Sequence, residues 1–433
     1  MAWPRWLARG RLLALLAVLC LALSSCALPW AGGTGGTGRT GGTGGTGGTS
    51  DIGTITFGAT IPITGERATE GAYSRDGYLF YVHAVNQQGG IVIGGRRYRV
   101  ELTYYDDQSR PQRTAALYRK LIVEDRVDFL LGPYSSLLTS AAAPLAERYG
   151  VPMIAPHGSA DSIYAHNYKY VFSIVSPAKN YLRGIIAVAL ARDPRARTLA
   201  LLGENEPFSR EVLAGAADYA RTRGMTVVAR ESYPSQPSSV AVQLLAIKRA
   251  RPDVLLAAGH LQDAILIARQ VRDLCLAPRA LGFSVGPSLP GFRAILQSEA
   301  NDIFGATQWT SALKYHGDDR WQTPQAYADA FRAAYPGYDQ APYQAAESTA
   351  ALVAFQRALE SAGGVDPRAV RAGLARLDIM TFYGRIKFDG RGVNIYKPMA
   401  VVQPQADGKT YTVFPPDVAE RNAVYPLPPT PCG

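Results

Sequence analysis

From residue 54 onward, short apolar runs alternate with longer segments in which apolar residues recur every three or four positions. Several of the runs are continuously apolar, as expected for parallel strands that are covered on both faces. The runs that predict strands are 54–62, 98–107, 128–133, 151–156, 198–205, 225–233, 252–260, 279–286 and 302–309. The segments that predict helices include 110–125, 136–149, 209–223, 239–250 and 261–275.

Alternation of strands with helices predicts an α/β fold built on parallel, doubly wound sheets. There are too many strand–helix units for one sheet, and they divide into two sets near residues 172–177. Beyond the second set, the pattern predicts further helices at 323–334, 341–362 and 366–376, followed by a β-rich tail.

This order predicts two lobes joined by a hinge that the chain crosses several times. The first lobe is expected to comprise residues 51–174 plus 309–398, and the second lobe residues 175–308 plus 399–433. Such a length after the N-terminal region suits two domains of ordinary size.

The N-terminal residues 1–25 have the pattern of a secretory signal peptide. Three arginines precede an apolar run at 12–23, which is shorter than the roughly 20 residues that span a bilayer. The sequence Leu-Ser-Ser-Cys that ends at Cys26 resembles the lipobox of bacterial lipoproteins, and this resemblance implies a lipid on Cys26. An ordinary signal peptide with an incidental cysteine is the alternative.

Residues 26–50 are dominated by a Gly/Thr repeat that has no apolar surface to bury, so a disordered tether is expected. Its mean reach is on the order of 27 Å. The protein is therefore expected outside the cytoplasm, held to the cell membrane through its N-terminal lipid, where it meets a membrane-embedded partner.

Charge and cysteine content exclude several classes of function. The formal net charge is +10, but the basic residues are scattered and form no stripe with interleaved aromatics, so no nucleic-acid partner is expected. Beyond Cys26 only Cys275 and Cys432 remain, and the sequence leaves open whether they pair. The five histidines show no zinc-ligand spacing, so no metal site is expected.

No catalytic constellation stands out. The chain lacks a P-loop and a dinucleotide-binding glycine motif after the first strand. Asp106 and Asp107 are adjacent on a strand and therefore point to opposite faces, which disfavours a shared acid–base role. We expect a binding protein without a cofactor rather than an enzyme.

Ligands of open parallel sheets bind outside the carboxyl ends of the strands. Serines at the start of a helix add hydroxyls and backbone N–H groups suited to a carboxylate. The candidate residues that follow strand ends are Tyr134, Ser135, Ser136, His157, Gly158, Ser159, Phe208, His260 and Ser284.

Several motifs resemble those of the type I periplasmic binding proteins of ABC transporters for branched-chain amino acids. They include IPITGERATEGAYSRDG (61–77), NQQGGIVIGGRRYRVELTYYDDQ (86–108) and TFYGRIKFDGRGVNIYKPMAVVQ (381–403). Together with LLGPYSSLLTSAAAPLAERYGVPMIAP and PDVLLAAGHLQDAILIARQVRDL they cover nearly all of 51–415. The resemblance implies two Rossmann-like lobes that close over a small ligand.

The resemblance also assigns roles at the first lobe. In the family, a serine loop and the residues after the next strand hold the ligand's carboxylate and amine. These positions match Ser135, Ser136, Gly158 and Ser159.

At the second lobe, the aromatic residue that closes over the ligand matches Phe208, and a further contact matches His260. The acidic residue that pairs with the ligand's ammonium group falls on Ser284, which departs from the family pattern. Glu70 or Glu204 could supply the missing charge, or the ligand lacks an α-ammonium group.

The resemblance thus implies the substrate-binding component of an ABC importer, which captures an amino acid of the branched-chain type and delivers it to a membrane permease. The sequence leaves open a ligand sensor for a membrane receptor, and a ligand such as an amide, urea or a small carboxylate. A structural surface lipoprotein is a further alternative.

Overall fold

The computed structural model describes residues 52–428. The signal peptide, Cys26, the Gly/Thr tether and Cys432 lie outside the described residues. Cys275 is disulfide-bonded.

Within residues 52–428 the chain forms fifteen strands and twelve α-helices. The strands are β1 (Gly53–Ile61), β2 (Ile91–Ile93), β3 (Arg96–Asp106), β4 (Phe129–Leu131), β5 (Met153–Ile154), β6 (Val171–Phe172), β7 (Thr198–Glu204), β8 (Thr226–Tyr233), β9 (Val254–Ala258), β10 (Ala280–Phe283), β11 (Phe304–Thr307), β12 (Asp378–Thr381), β13 (Gly384–Lys387), β14 (Ala400–Pro404) and β15 (Thr410–Phe414). The helices are α1 (Ala68–Asn86), α2 (Pro111–Val123), α3 (Ser136–Tyr149), α4 (Asp161–Tyr164), α5 (Arg183–Arg192), α6 (Pro207–Thr222), α7 (Ala241–Ala250), α8 (Leu261–Asp273), α9 (Pro290–Leu296), α10 (Pro324–Ala334), α11 (Tyr343–Ala362) and α12 (Pro367–Ala375).

Two large sheets organise the molecule. Lobe 1 contains a six-stranded sheet in the order β2-β3-β1-β4-β5-β6, in which only β2 runs antiparallel to its neighbour. Lobe 2 contains a seven-stranded sheet in the order β15-β14-β11-β10-β9-β7-β8, with β14 and β15 antiparallel at one edge. The expected α/β fold with two lobes around largely parallel sheets is confirmed.

The chain passes between the lobes three times. It leaves the first sheet after β6 and builds β7 to β11 of the second sheet. It then returns to lobe 1, where α11 packs along α1, and enters the second sheet again at β14. This path places α11, which is distant in sequence, beside the strand ends of lobe 1.

The central strands form at the continuous apolar runs of the sequence. All of β9 and β10 is buried, since helices cover both faces of the sheet. Helix α3 begins after the extended residue Ser135 and ends at Gly150, whose positive φ of 67° stops it. These start and stop signals give α3 the bounds expected from the sequence.

Close backbone packing fixes α11 against α1. A Cβ atom at Gly77 would lie 2.3 Å from the carbonyl oxygen of Ala345, so only glycine permits this approach. The contact sets the position of the first turns of α11. Within residues 52–428, no helix has both the length and the apolar character needed to cross a membrane.

Candidate ligand-binding cleft

A small cavity lies between the lobes at the carboxyl ends of their strands. Its lining combines loops after β4, β5, β7, β9 and β10 with residues of the hinge region and of α11. The lining residues are Tyr134, Ser135, Ser136, His157, Ser159, Tyr181, Phe208, His260, Val285, Tyr343 and Glu347.

The start of α3 supplies the cavity's best site for an anion. Among the described residues, no side chain caps this helix, and the buried hydroxyl of Ser135 has no hydrogen-bond partner. Ser136 Oγ accepts hydrogen bonds from the backbone N–H groups of Ser159 and Ala160, each at 3.1 Å, so its own proton is directed elsewhere. The first-turn N–H groups of a helix lack intrahelical acceptors and carry the positive end of its dipole.

The starts of α6 and α8 in lobe 2 already have protein carboxylates as hydrogen-bond partners. Glu206 caps α6 by accepting hydrogen bonds from Phe208 N and Ser209 N. At α8, Leu261 N donates to Glu70 Oε1 and His260 N donates to Asp263 Oδ2. An anionic ligand is therefore favoured at α3 and disfavoured at α6 and α8.

Glu347 of α11 adds a buried acid to the lining of the cavity. Its Oε2 lies 2.9 Å from His157 Nδ1, and the hydroxyl of Tyr383 donates to its Oε1 at 3.4 Å. Burial raises the pKa of Glu347 well above its usual value, while the Lys397 ammonium opposes this shift. Burial also lowers the pKa of His157 to about 3, so its imidazole is neutral at pH 7.

Aromatic rings form much of the remaining lining of the cavity. Phe208 packs edge-on against Tyr181, with ring centroids 5.0 Å apart, and lies 5.6 Å from the His260 ring. Tyr134 OH lies 3.0 Å from His260 Nδ1 and so bridges the two lobes. The other ring nitrogen of His260, Nε2, is buried without a hydrogen-bond partner and is available to a ligand.

Direct contacts hold the lobes together outside the cavity. The buried Arg67 of lobe 1 pairs with Glu204 of lobe 2 at 3.2 Å. Glu211 of α6 accepts hydrogen bonds from the backbone N–H groups of Asp161 and Ser162. The structure therefore has the closed arrangement of its lobes.

Seven of the residues proposed from the sequence line the cavity, whereas Glu70, Glu204, Gly158 and Ser284 do not. Glu70 points to the start of α8, as described above. Gly158 packs against Thr139, whose Cγ2 would lie 2.7 Å from an added Cβ. Ser284 Oγ accepts a hydrogen bond from Gly259 N and donates one to Gly259 O, both at 3.2 Å, so it serves the loop between β9 and α8.

Four lining residues were not proposed from the sequence: Tyr181, Val285, Tyr343 and Glu347. Val285 follows β10 and could have been found by the strand-end rule. The other three belong to the hinge region and to α11, which no strand-end rule reaches. The available signal was a glutamate within an alanine-rich helix, which is unusual for a buried helix face.

Glu204, Glu206 and His260 bring potential metal-ligand atoms within 4.8 Å of one another. Arg67 already supplies a positive charge there, because its guanidinium contacts Glu204. The cluster is thus neutralised in part by the protein itself.

Residues 54–409 match the model of a family described as periplasmic binding protein. The match spans most of the chain and both sheets. The chain belongs to the periplasmic binding protein family. Membership confirms the resemblance noted from the motifs and implies a place outside the cytoplasm for this periplasmic binding protein.

Among curated relatives, the Leu/Ile/Val-binding protein homolog 8 of Brucella abortus is 26% identical over 384 residues, covering 84% of this chain and 91% of the relative. Among solved structures, the branched-chain amino acid transporter substrate binding protein LivJ from Streptococcus pneumoniae, in complex with isoleucine, has a TM-score of 0.71 at 20% identity. That similarity covers 86% of this chain and all of LivJ. A solute binding protein of R. palustris in complex with benzoate has a TM-score of 0.70 at 22% identity, covering 83% of this chain and 96% of the other.

Proposed function

We propose that this protein is the substrate-binding component of an ABC importer, which captures a small carboxylate-bearing ligand, an amino acid of the branched-chain type, between its lobes. Delivery to a membrane permease and attachment through a lipid on Cys26 belong to the same proposal. The relatives named as Leu/Ile/Val-binding proteins support the ligand class, and the resemblance of Leu-Ser-Ser-Cys to a lipobox supports the anchor.

The observation that carries the proposal is the uncapped start of α3 at the cavity. Ser135 Oγ lacks a partner, whereas the neighbouring helix starts of lobe 2 already have carboxylates. A ligand carboxylate would complete the hydrogen bonding of α3 and gain from its dipole. Hydrogen bonds to a charged group contribute about 1.5–3 kcal/mol each.

Closure of the two lobes over the ligand is expected because each lobe contributes residues to the cavity. Ser135 and Ser136 come from lobe 1, whereas Phe208, His260 and Val285 come from lobe 2. A ligand that contacts both groups gains its full set of contacts only when the lobes meet, so it shifts the population toward the closed form.

A carboxylate without an amino group is the second candidate ligand. The aromatic wall of Tyr134, Tyr181, Phe208 and Tyr343 favours it, as does the structural similarity to a protein crystallised with benzoate. The two candidates share the α3 carboxylate site and differ in what faces Glu347.

A thermal-shift screen of aliphatic amino acids, benzoate, short carboxylates, amides and urea tests the proposal. A true ligand at one hundred times its Kd stabilises the protein by about 2.7 kcal/mol. We expect at least one carboxylate-bearing compound to raise the melting temperature, and Ser135→Ala to reduce that rise. No shift with any compound would contradict the proposal, and a shift only with uncharged amides or urea would contradict the carboxylate site.

A further inference from the structure

The lining of one small cavity includes both the α3 start, which favours an anion, and the carboxyl group of Glu347. We infer that Glu347 is the acid that pairs with the ligand's ammonium group, in place of the residue at position 284. This inference rests on the proposed function, because it names the second charged group of the same ligand.

The geometry of Glu347 leaves it room for one more partner. A carboxylate accepts about four hydrogen bonds, and Glu347 has two, from His157 Nδ1 and from Tyr383 OH. His157 is held in turn by Ser348, whose hydroxyl lies 3.1 Å from Nε2. The acid is therefore oriented by lobe 1 and also lines the cavity.

No cation of the protein contacts Glu347 directly within the described residues. Lys397 is the cation that most affects it, but the Lys397 ammonium donates to the carbonyl oxygen of Tyr383 and lies 3.3 Å from the centre of the Tyr383 ring. His157 contacts the carboxylate in its neutral form, as its lowered pKa requires. An ammonium group in the cavity would thus be the first cation to contact Glu347, and its charge would oppose the rise that burial causes in the pKa of Glu347.

The other acids near the cleft have partners of their own. Glu204 is paired with Arg67, and Glu206 caps α6. Glu70 Oε1 and Asp263 Oδ2 accept hydrogen bonds from the start of α8, while Glu70 Oε2 is buried without a hydrogen-bond partner among the described residues. These four side chains are directed to lobe contacts and helix starts, and none of them lines the cavity.

The test compares amino acids with their counterparts that lack the amino group. Binding of L-leucine, L-valine and L-alanine is measured by calorimetry beside that of 4-methylpentanoate, 3-methylbutanoate and propanoate. For the pair that binds best, we expect wild type to prefer the amino acid at least tenfold. In Glu347→Gln the preference should fall below about threefold, because the amide cannot form a charge-assisted pair.

Ser284→Ala is the matched control, because Ser284 occupies the position expected for the acid but its hydroxyl is hydrogen-bonded to Gly259. The Ser284→Ala protein should prefer the amino acid over its deaminated counterpart as strongly as wild type does. Glu347→Asp guards against a folding defect, because it keeps the charge and should keep part of the preference. A folded Glu347→Gln protein with the wild-type preference, or a wild type without any preference, overturns the inference and leaves carboxylate capture intact. Absence of binding for all six compounds and for benzoate would instead overturn the proposed function.

Discussion

Arg67 Nη2 lies 3.2 Å from Glu204 Oε1, and this buried ion pair joins the two lobes. Arg67 precedes α1 in lobe 1, and Glu204 ends β7 in lobe 2, where the Ser235 hydroxyl also donates to it. The pair forms only when the lobes meet. It therefore contributes to the closed form and not to the stability of either lobe alone.

Replacement of Arg67 by methionine should favour the open form, because closure would bury Glu204 without its partner. Breaking a buried pair from one side costs about 3–5 kcal/mol, so we expect ligand affinity to fall by at least tenfold. The double variant Arg67→Met, Glu204→Met should recover part of the loss. Calorimetry with the best ligand of the thermal-shift screen measures this, and Arg221→Met, which disrupts only the exposed pair with Asp218, is the control. Equal affinities in all four proteins would refute a role in closure.

Ser135 and Ser136 are adjacent but should respond differently to alanine. Ser135 Oγ has no hydrogen-bond partner in the part of the chain that the structure describes, so Ser135→Ala should weaken binding and leave the unfolding free energy of the unliganded protein nearly unchanged. Ser136 Oγ accepts hydrogen bonds from Ser159 N and Ala160 N, so Ser136→Ala should also cost about 1–3 kcal/mol of stability. Urea unfolding without ligand, together with calorimetry, separates the two effects. A stability loss for Ser135→Ala as large as that for Ser136→Ala would contradict the assignment.

The strand-end loops of this fold are predictable from sequence, because the rule that places them depends only on local patterns. Continuous apolar runs locate β4 and β9, and the residues that follow them, such as Ser135 and His260, line the cavity. The bounds of α3 follow from local start and stop signals, including a glycine at 150 that takes a positive φ.

The position of Glu347 in the cavity could not be predicted from local sequence patterns. Its place depends on the return of the chain to lobe 1 and on the close approach of Ala345 to Gly77, which are long-range contacts. Ser284 shows the converse error: it stands at a strand end, yet its hydroxyl is engaged by both backbone groups of Gly259. Local pattern places a residue on a loop but does not show where its side chain points.

Gly77→Ala should disturb the site from a distance. The added Cβ would lie 2.3 Å from the Ala345 carbonyl oxygen, so α11 has to move away from α1. We expect a loss of about 1–3 kcal/mol in unfolding free energy, as for other overpacked cores, and weaker ligand binding because Glu347 moves with α11. Gly364→Ala is the control, since no atom lies within 4 Å of its added Cβ. Urea midpoints measure the comparison, and a fully stable Gly77→Ala protein would argue against rigid α1–α11 packing.

Asp263 should give the protein a pH dependence of defined sign. Burial, together with the Glu204 charge, raises the pKa of Asp263 to about 7. A carboxyl group with a raised folded-state pKa holds its proton more tightly when folded, so its contribution is most favourable below pH 4 and is lost as the pH rises through 7. Asp263→Asn lacks this proton and retains an oxygen to accept from His260 N. Its stability relative to wild type should therefore increase by about 2 kcal/mol between pH 5 and pH 8.

Asp253 provides a control for the Asp263 prediction, because its pKa is shifted in the opposite direction. Burial alone would raise the pKa of Asp253, but hydrogen bonds from the backbone of Arg197 and Thr198 lower it below its usual value. Asp253→Asn should therefore lose stability relative to wild type as the pH rises through the acidic range. Urea unfolding at several pH values measures both variants, and parallel curves for wild type and Asp263→Asn would refute the raised pKa.

The central claim is that the two lobes close on a small carboxylate ligand. Small-angle X-ray scattering of the wild-type protein, with and without the ligand from the thermal-shift screen at saturating concentration, tests it most directly. The account predicts a smaller radius of gyration with the ligand and no change with a compound that does not bind. An identical scattering curve at full saturation would contradict capture by closure.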